Sequence, residues 1–208
     1  PNNPTGNTIP EQILTEILQF CASKKIRVVA DECFLRFHPH YEKMSCKRFL
    51  KQYPNLLIVN AFTKFYAMAG LRLGYLMTGD LSLLHAVAQQ LPEWNVSSIA
   101  QRAGISALQD TEYEKRTRQL IEKERRYLIQ EFLKMGCTVF PSEADYITFR
   151  LPQEKTGFLL KERLLEGKIL IRSCANYRNM PPDCYRIAVK QHADNEELVR
   201  QVWRILIQ

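Results

Sequence analysis

A lone lysine, Lys64, stands in a stretch of the sequence that is otherwise apolar and interrupted by glycines, residues 61–75. Burial in such surroundings disfavours the ammonium, so the lysine pKa can fall to where a neutral amine attacks a carbonyl carbon. Lys64 is therefore a candidate for Schiff-base formation. A single arginine, Arg72, follows in the same stretch. The alternative is a solvated lysine beside a buried strand.

Two segments that precede Lys64 in the sequence supply further candidate site residues, an amide and an acid. Residues 1–6 hold two prolines, two asparagines and a glycine, which predicts a rigid turn that can fix the amide of Asn3. Residues 26–31 form a short, β-branched apolar run that ends in Asp31. A buried parallel strand has this pattern when its carboxyl end opens onto a site. The alternative for Asp31 is a helix cap or a loop acid.

Two arginines lie on predicted strands near the end of the chain. Arg172 ends a strand predicted within residues 167–177, and Arg186 lies among apolar neighbours in a strand over residues 184–190. A guanidinium in apolar surroundings needs an anionic partner, so Arg186 is expected to bind a carboxylate or another anion. The alternatives are an internal salt bridge for Arg186 and simple solvent exposure for Arg172.

In their order and spacing, these segments resemble the class I/II aminotransferase family of fold-type-I pyridoxal-phosphate enzymes. The resemblance implies that Lys64 carries pyridoxal 5′-phosphate as a Schiff base. It also implies that Asp31 pairs with the pyridine nitrogen and keeps it protonated, so that the ring accepts electrons from the substrate's α-carbon. Asn3 would donate a hydrogen bond to the ring hydroxyl oxygen, and Thr63 and Arg72 would hold the cofactor phosphate. The catalytic residues are thus expected to be Lys64 and Asp31.

Within the family, residues 31–34, 91–97 and 171–177 resemble the subgroup that decarboxylates L-threonine O-3-phosphate more than the subgroup that transfers the amino group of histidinol phosphate. Phe34, where many members carry a tyrosine, fits the first subgroup. The product would be (R)-1-amino-2-propanol phosphate, used for the cobalamin side chain. Histidinol-phosphate aminotransfer and a non-catalytic domain remain the alternatives.

The same resemblance defines the substrate site and the assembly. Arg172 and Arg186 would bind the two anionic ends of a small phosphorylated amino acid, one the phosphate and the other the carboxylate, with Asn3 also near the substrate. The family's N-terminal arm and the first part of its large domain have no counterpart in these 208 residues. A homodimer is implied for the whole enzyme, and we expect the 208 residues alone to bind the cofactor weakly.

Composition limits the other function classes. The formal net charge is +7, yet the acidic residues of 112–131 alternate with basic ones at helical spacing, as on a solvated helix, so no nucleic-acid partner is expected. No run reaches the length of a membrane span. The six cysteines form no Cys-x-x-Cys pair, and His38 and His40 lack further ligands at metal spacing. We therefore predict a cytoplasmic enzyme with reduced thiols and no metal.

Alternating patterns predict an α/β fold. Residues 1–110 are expected to form the C-terminal part of a mainly parallel large-domain sheet with helices, and residues 111–208 a small α+β domain. The predicted helices span about 9–23, 81–108, 111–135, 156–165 and 195–206, and the predicted strands about 27–30, 56–61, 73–78, 138–140 and 146–151, besides the two that carry arginines.

Overall fold

The computed structural model describes residues 1–155 and 159–207. The chain divides into two compact units, one of Ile9–Lys115 and one of Pro1–Thr8 with Arg116–Gln208. The first eight residues thus belong to the unit that contains the end of the chain. The predicted domain ranges of 1–110 and 111–208 differ from these units by that segment, and they stay a prediction.

The Ile9–Lys115 unit contains a three-stranded sheet in the order β1-β2-β3. β1 and β2 run parallel, with Asp31 opposite Val59, whereas β3 pairs with β2 in the antiparallel direction. The strands are β1 (Val28–Asp31), β2 (Leu56–Ala61) and β3 (Gly74–Thr78). The helices are α1 (Glu11–Ser23), α2 (Tyr41–Met44), α3 (Leu81–Gln90), α4 (Ser98–Gln109) and the first turn of α5 (Thr111–Lys134).

The core of this unit follows from the apolar period of α1 and the apolar runs of the strands. Leu18 of α1 is fully buried with Leu56 and Ile58 of β2. The helical stretch predicted over 81–108 is interrupted, because residues 91–97 include Pro92 and lead to a new N-cap. The Oγ of that cap, Ser97, accepts a hydrogen bond from the Ala100 N–H at 3.2 Å and starts α4.

The other unit contains a four-stranded antiparallel sheet in the order β4-β5-β7-β6. Phe132 of α5 packs on Phe149 of β5, with ring centroids 4.3 Å apart. The strands are β4 (Thr138–Val139), β5 (Tyr146–Arg150), β6 (Arg172–Ser173) and β7 (Cys184–Ala188). The helices are the rest of α5, α6 (Leu160–Glu166) and α7 (His192–Ile207). Residues 156–158 of the helix predicted over 156–165 lie outside the described residues.

These elements confirm the predicted α/β fold class. The sequence pattern did not reveal the antiparallel direction of β3. Among residues 1–155 and 159–207, none of the helices combines the length and apolar character that crossing a bilayer requires.

Candidate active site

Asp31 and Lys64 follow two neighbouring parallel strands at the same edge of the first sheet. Asp31 is the last residue of β1, and its exposed carboxylate accepts a hydrogen bond from the Cys33 N–H at 2.9 Å. Lys64 lies in the turn after β2, where its side chain is exposed. Its Nζ atom is 5.5 Å from the ring centroid of Phe34. The carboxyl ends of parallel strands meet at one edge, which is where α/β sheets bind ligands.

The thiol of Cys33 shows that the two charged side chains are close to a common point. Burial, together with the hydrogen bond and charge of Asp31, raises the Cys33 pKa to about 12, while the charge of Lys64 acts to lower it. Both charges therefore act on one thiol. Within the described ranges, no carboxylate lies at ion-pair distance from Lys64 Nζ. An exposed amine and a carboxylate that both act on one thiol are compatible with the predicted Schiff base and ring-nitrogen contact, which stay predictions.

Thr63 and Arg72 flank this lysine along the loop from β2 to β3. Thr63 is half-buried, and Arg72 is exposed with a left-handed backbone, φ 55°. The Arg72 Nη1 donates to the carbonyl oxygen of Ala69 at 3.1 Å. A Cβ at Gly74, where β3 begins, would lie 2.9 Å from the Asn60 carbonyl oxygen, so this close approach of the strands requires glycine. The phosphate-binding roles of Thr63 and Arg72 stay predictions.

The turn at the start of the chain holds Asn3 against side chains of its own unit, Pro1–Thr8 with Arg116–Gln208. The Asn3 Oδ1 accepts hydrogen bonds from the Tyr177 hydroxyl, at 3.0 Å, and from Arg186 Nη1. Both bonds use the amide oxygen, which leaves Nδ2 as the donor that a bond to a ring hydroxyl requires. Gly6 closes the turn with φ 86°, and a Cβ there would lie 2.1 Å from Ser142 Oγ. The predicted rigid turn therefore needs a glycine at this position.

Arg172 and Arg186 stand directly opposite each other on β6 and β7. Arg186 is half-buried over the ring of Tyr146, 4.9 Å from its centroid, and Arg172 lies 5.7 Å from that of Tyr177. Burial raises the pKa of Cys174, and the charges of both arginines lower it. In the part of the chain that the structure describes, neither guanidinium has a carboxylate at ion-pair distance. Two like charges in register without a counter-ion form a site suited to an anion.

Sequence reasoning missed several residues of these sites. Cys33, Tyr177 and Cys174 were not singled out, although each stands within a few residues of a predicted site residue. The buried carboxylate of Glu32 was also missed. It accepts hydrogen bonds from Ser45 Oγ at 2.9 Å and the Cys46 N–H at 2.7 Å. Only the Asp-Glu pair at a strand end hinted at it, since its partners are remote in sequence.

His38 has a local role. Its Nδ1 accepts a hydrogen bond from the His40 N–H at 3.0 Å, which fixes the ring in the loop. Across residues 1–155 and 159–207, no three side chains of His, Cys, Asp or Glu group as metal ligands would. The absence of a metal stays a prediction.

The chain matches a known protein family over nearly its whole length. The model of the family "Aminotransferase class I and II" matches residues 1–202. The chain belongs to the class I and II aminotransferase family. The match confirms the resemblance that the turn, the strand-end acid and the lysine suggested. The family and its similar members support the predicted cofactor, pyridoxal 5′-phosphate, and an enzyme of the lyase or transferase type.

Two kinds of family member are similar to the chain. The threonine-phosphate decarboxylase of Salmonella typhimurium is 36% identical over 99% of this chain and 56% of its own length. The histidinol-phosphate aminotransferase of Oleidesulfovibrio alaskensis is 31% identical over 99% of this chain and 53% of its own. The solved structure of the histidinol-phosphate aminotransferase from Clostridium acetobutylicum superposes with a TM-score of 0.92 and 31% identity, covering 99% of this chain and 62% of that one. The chain spans about half the length of these curated relatives.

Proposed function

We propose that this chain belongs to a pyridoxal-phosphate enzyme that decarboxylates L-threonine O-3-phosphate to (R)-1-amino-2-propanol phosphate, a step that serves cobalamin biosynthesis. The observation that carries the choice of reaction is the 36% identity to a threonine-phosphate decarboxylase over 99% of the chain. The proposal includes a cytoplasmic homodimer for the full-length enzyme, as the family resemblance implies.

Lys64 and Asp31 are the proposed catalytic residues. When bound, pyridoxal phosphate accepts the electrons released as a bond to the substrate's α-carbon breaks. Lys64 would hold the cofactor aldehyde and later move a proton at the α-carbon, and Asp31 would keep the proton on the ring nitrogen. Asn3 Nδ2 would bind the ring hydroxyl, while Thr63 and Arg72 would hold the phosphate. The shared influence of Asp31 and Lys64 on Cys33 supports this assignment.

Arg172 and Arg186 are the proposed substrate residues. A phosphorylated amino acid carries two anionic groups, and the two arginines face each other without a carboxylate partner in the described ranges. One guanidinium would bind the phosphate and the other the carboxylate, with Asn3 fixing Arg186. The side chains that hold the carboxylate decide the reaction, because the bond held perpendicular to the ring is the bond that breaks.

Aminotransfer from histidinol phosphate is the second candidate. It is favoured by the TM-score of 0.92 to a histidinol-phosphate aminotransferase at 31% identity. That substrate carries a phosphate but no carboxylate, and the carboxylates in this reaction would come from the amino-group acceptor, 2-oxoglutarate, so both arginines would have an anionic partner here too.

The test measures both reactions with the purified full-length enzyme and added pyridoxal phosphate. We expect carbon dioxide from threonine phosphate and no 2-oxoglutarate-dependent amine transfer from histidinol phosphate. Borohydride reduction should attach the cofactor to Lys64, as read by peptide mass spectrometry. Lys64→Ala should lose the attachment and the visible absorbance, whereas Lys51→Ala, another exposed lysine of the same unit, should keep both. The reverse substrate pattern would favour the aminotransferase, and a colourless, unreactive protein would favour a non-catalytic domain.

A further inference from the structure

We propose that Arg36, Glu114 and Tyr66 form a positioning network that fixes the turn presenting Lys64. The inference rests on the proposed function, since it concerns how the lysine is held for the cofactor. All three residues lie in the Ile9–Lys115 unit. None of them was a predicted site residue.

The two residues that follow Lys64 are both anchored to the start of α5. Phe65 and Tyr66 are buried, with only 2% and 8% of their surfaces exposed. The Tyr66 hydroxyl donates a hydrogen bond to Glu114 Oε1 at 2.5 Å, and the Tyr113 hydroxyl donates to the Phe65 carbonyl oxygen at 2.8 Å. Burial and the bond to Glu114 raise the Tyr66 pKa, so this hydroxyl remains a donor at ordinary pH. Two adjacent residues of α5 thus hold the two residues that follow Lys64.

Arg36 is the third member of the network and contacts both Glu114 and the aromatic rings of the turn. Its Nη1 pairs with Glu114 Oε1, the same oxygen that accepts the Tyr66 hydroxyl. Its Cζ lies 5.3 Å from the ring centroid of Tyr66 and 5.9 Å from that of Phe65. Glu114 is only 7% exposed, and burying a carboxylate is costly unless such a cation and such a donor pair with it.

The backbone of the turn gives an independent reason for an anchor. Ala67 has a left-handed backbone, φ 53°, which residues other than glycine adopt only when their surroundings hold them there. Its N–H bonds the Lys64 carbonyl oxygen at 3.1 Å, and the Met68 N–H bonds that of Phe62 at 3.2 Å. The network therefore fixes the backbone at Lys64 while the lysine side chain stays exposed. Catalytic amines need such a supporting shell, because small displacements lower the rate steeply.

The test compares Tyr66→Phe and Glu114→Gln with Tyr53→Phe, a buried tyrosine of the core formed by α1 and β2. Glu114→Gln keeps an acceptor for Tyr66 and removes the charge that faces Arg36. Without cofactor, we expect Tyr66→Phe to speed hydrogen exchange at the Ala67 and Met68 amides about tenfold, with β2 unchanged. Glu114→Gln should have a smaller effect and Tyr53→Phe none at this turn. Borohydride trapping of pyridoxal phosphate on Lys64 should fall in the same order.

The exchange rates at the turn decide whether the network exists. Unchanged exchange at the turn in Tyr66→Phe overturns the network, as does faster exchange spread evenly over the whole unit, which indicates a purely structural role. If Tyr66→Phe does not fold, Glu114→Gln decides in the same way. Failure of the unsubstituted protein to trap the cofactor on Lys64 counts against the proposed function, whereas the exchange rates still test whether the network holds the turn.

Discussion

Cys33 lies where the charges of Asp31 and Lys64 act in opposite directions on one group. The carboxylate raises the thiol pKa and the ammonium lowers it, in addition to the effect of burial. A thiol of pKa about 12 is almost entirely protonated at ordinary pH, so this cysteine is inert in the unsubstituted chain. Its reactivity can therefore report on both neighbours without any cofactor.

At this residue scale we predict the alkylation rate of Cys33. Asp31→Asn removes the charge that raises the pKa, so more thiolate forms and iodoacetamide should react about tenfold faster at mildly alkaline pH. Lys64→Ala should slow the reaction, because the lowering charge is lost. Peptide mass spectrometry gives the rate, with Cys21 in the same sample as the reference. Equal Cys33 rates in all three proteins would mean that neither side chain is near the thiol.

At the scale of elements, β6 and β7 bring two guanidinium groups into register. Like charges directly opposite each other in an antiparallel pair destabilise the sheet until an anion lies between them. The strand predicted over 167–177 is short in the structure, Arg172–Ser173, and this short strand is what aligns Arg172 with Arg186.

Inorganic phosphate should therefore stabilise the chain. We expect about 1 kcal/mol of additional stability at phosphate concentrations several times the dissociation constant. Arg172→Gln should abolish most of this gain and, in low salt without phosphate, should raise the stability by about 0.5 kcal/mol. Thermal unfolding with and without phosphate measures both effects. Arg178→Gln, another exposed arginine of the same segment, should leave the phosphate gain intact. A gain that survives in Arg172→Gln would argue against an anion site here.

The contact between α5 and α7 gives a pH prediction. Burial acts to raise the pKa of Glu124, but hydrogen bonds from Asn195 and His192 lower it below its usual value. A carboxylate with a lowered folded pKa stabilises the fold above its unfolded pKa, and this contribution disappears as the pH falls through the folded pKa. The unsubstituted chain should thus lose about 1 kcal/mol more stability than Glu124→Gln between about pH 6 and about pH 3.

Denaturant unfolding at several pH values provides the measurement. Glu122→Gln is the matched control on the same helix, because Glu122 forms an exposed pair with Arg126, which contributes little. Parallel pH profiles for the unsubstituted chain and Glu124→Gln would show that this contact does not titrate with folding.

Local patterns predicted the elements better than the contacts between them. The apolar period of α1 and the β-branched runs of β1 and β2 were sufficient because each pattern lies within one segment. The direction of β3 and the interruption at 91–97 depend on pairing and capping, which periodicity does not encode. The strand-end position of Asp31 could be predicted because the acid closes an apolar run, and Lys64 stood out as a lone lysine in an apolar stretch, whereas their catalytic roles stay predictions. The bond from Tyr66 to Glu114 joins residues separated by 48 positions, and no local signal indicates it.

At the scale of the whole molecule, an apolar surface extends over one side of α1. Ile13, Ile17 and Phe20 share a helical face and are 46%, 39% and 59% exposed. Val29 of β1 is 61% exposed, and β1 is an edge strand of the described sheet. Exposed apolar faces and open strand edges promote association.

We therefore predict that the 208-residue chain self-associates. Phe20→Lys should shift the sedimentation profile toward monomer and lower the binding of a hydrophobic dye, because it places a charge in the apolar face. Gln19→Lys adds the same charge at an exposed position beside that face and should have little effect. Equal association in the two variants would show that this surface of α1 is not involved.

The placement of Pro1–Thr8 in the unit of the last strands has a practical consequence. The Tyr146 and Thr148 hydroxyls and the Arg186 guanidinium donate to groups of this segment, although up to 183 positions separate the partners. A contiguous fragment beginning at α5 would lose all three acceptors at once. A synthetic octapeptide of residues 1–8, added to this fragment as a separate molecule, would supply the missing acceptors. The first eight residues would then bind the fragment as a peptide ligand.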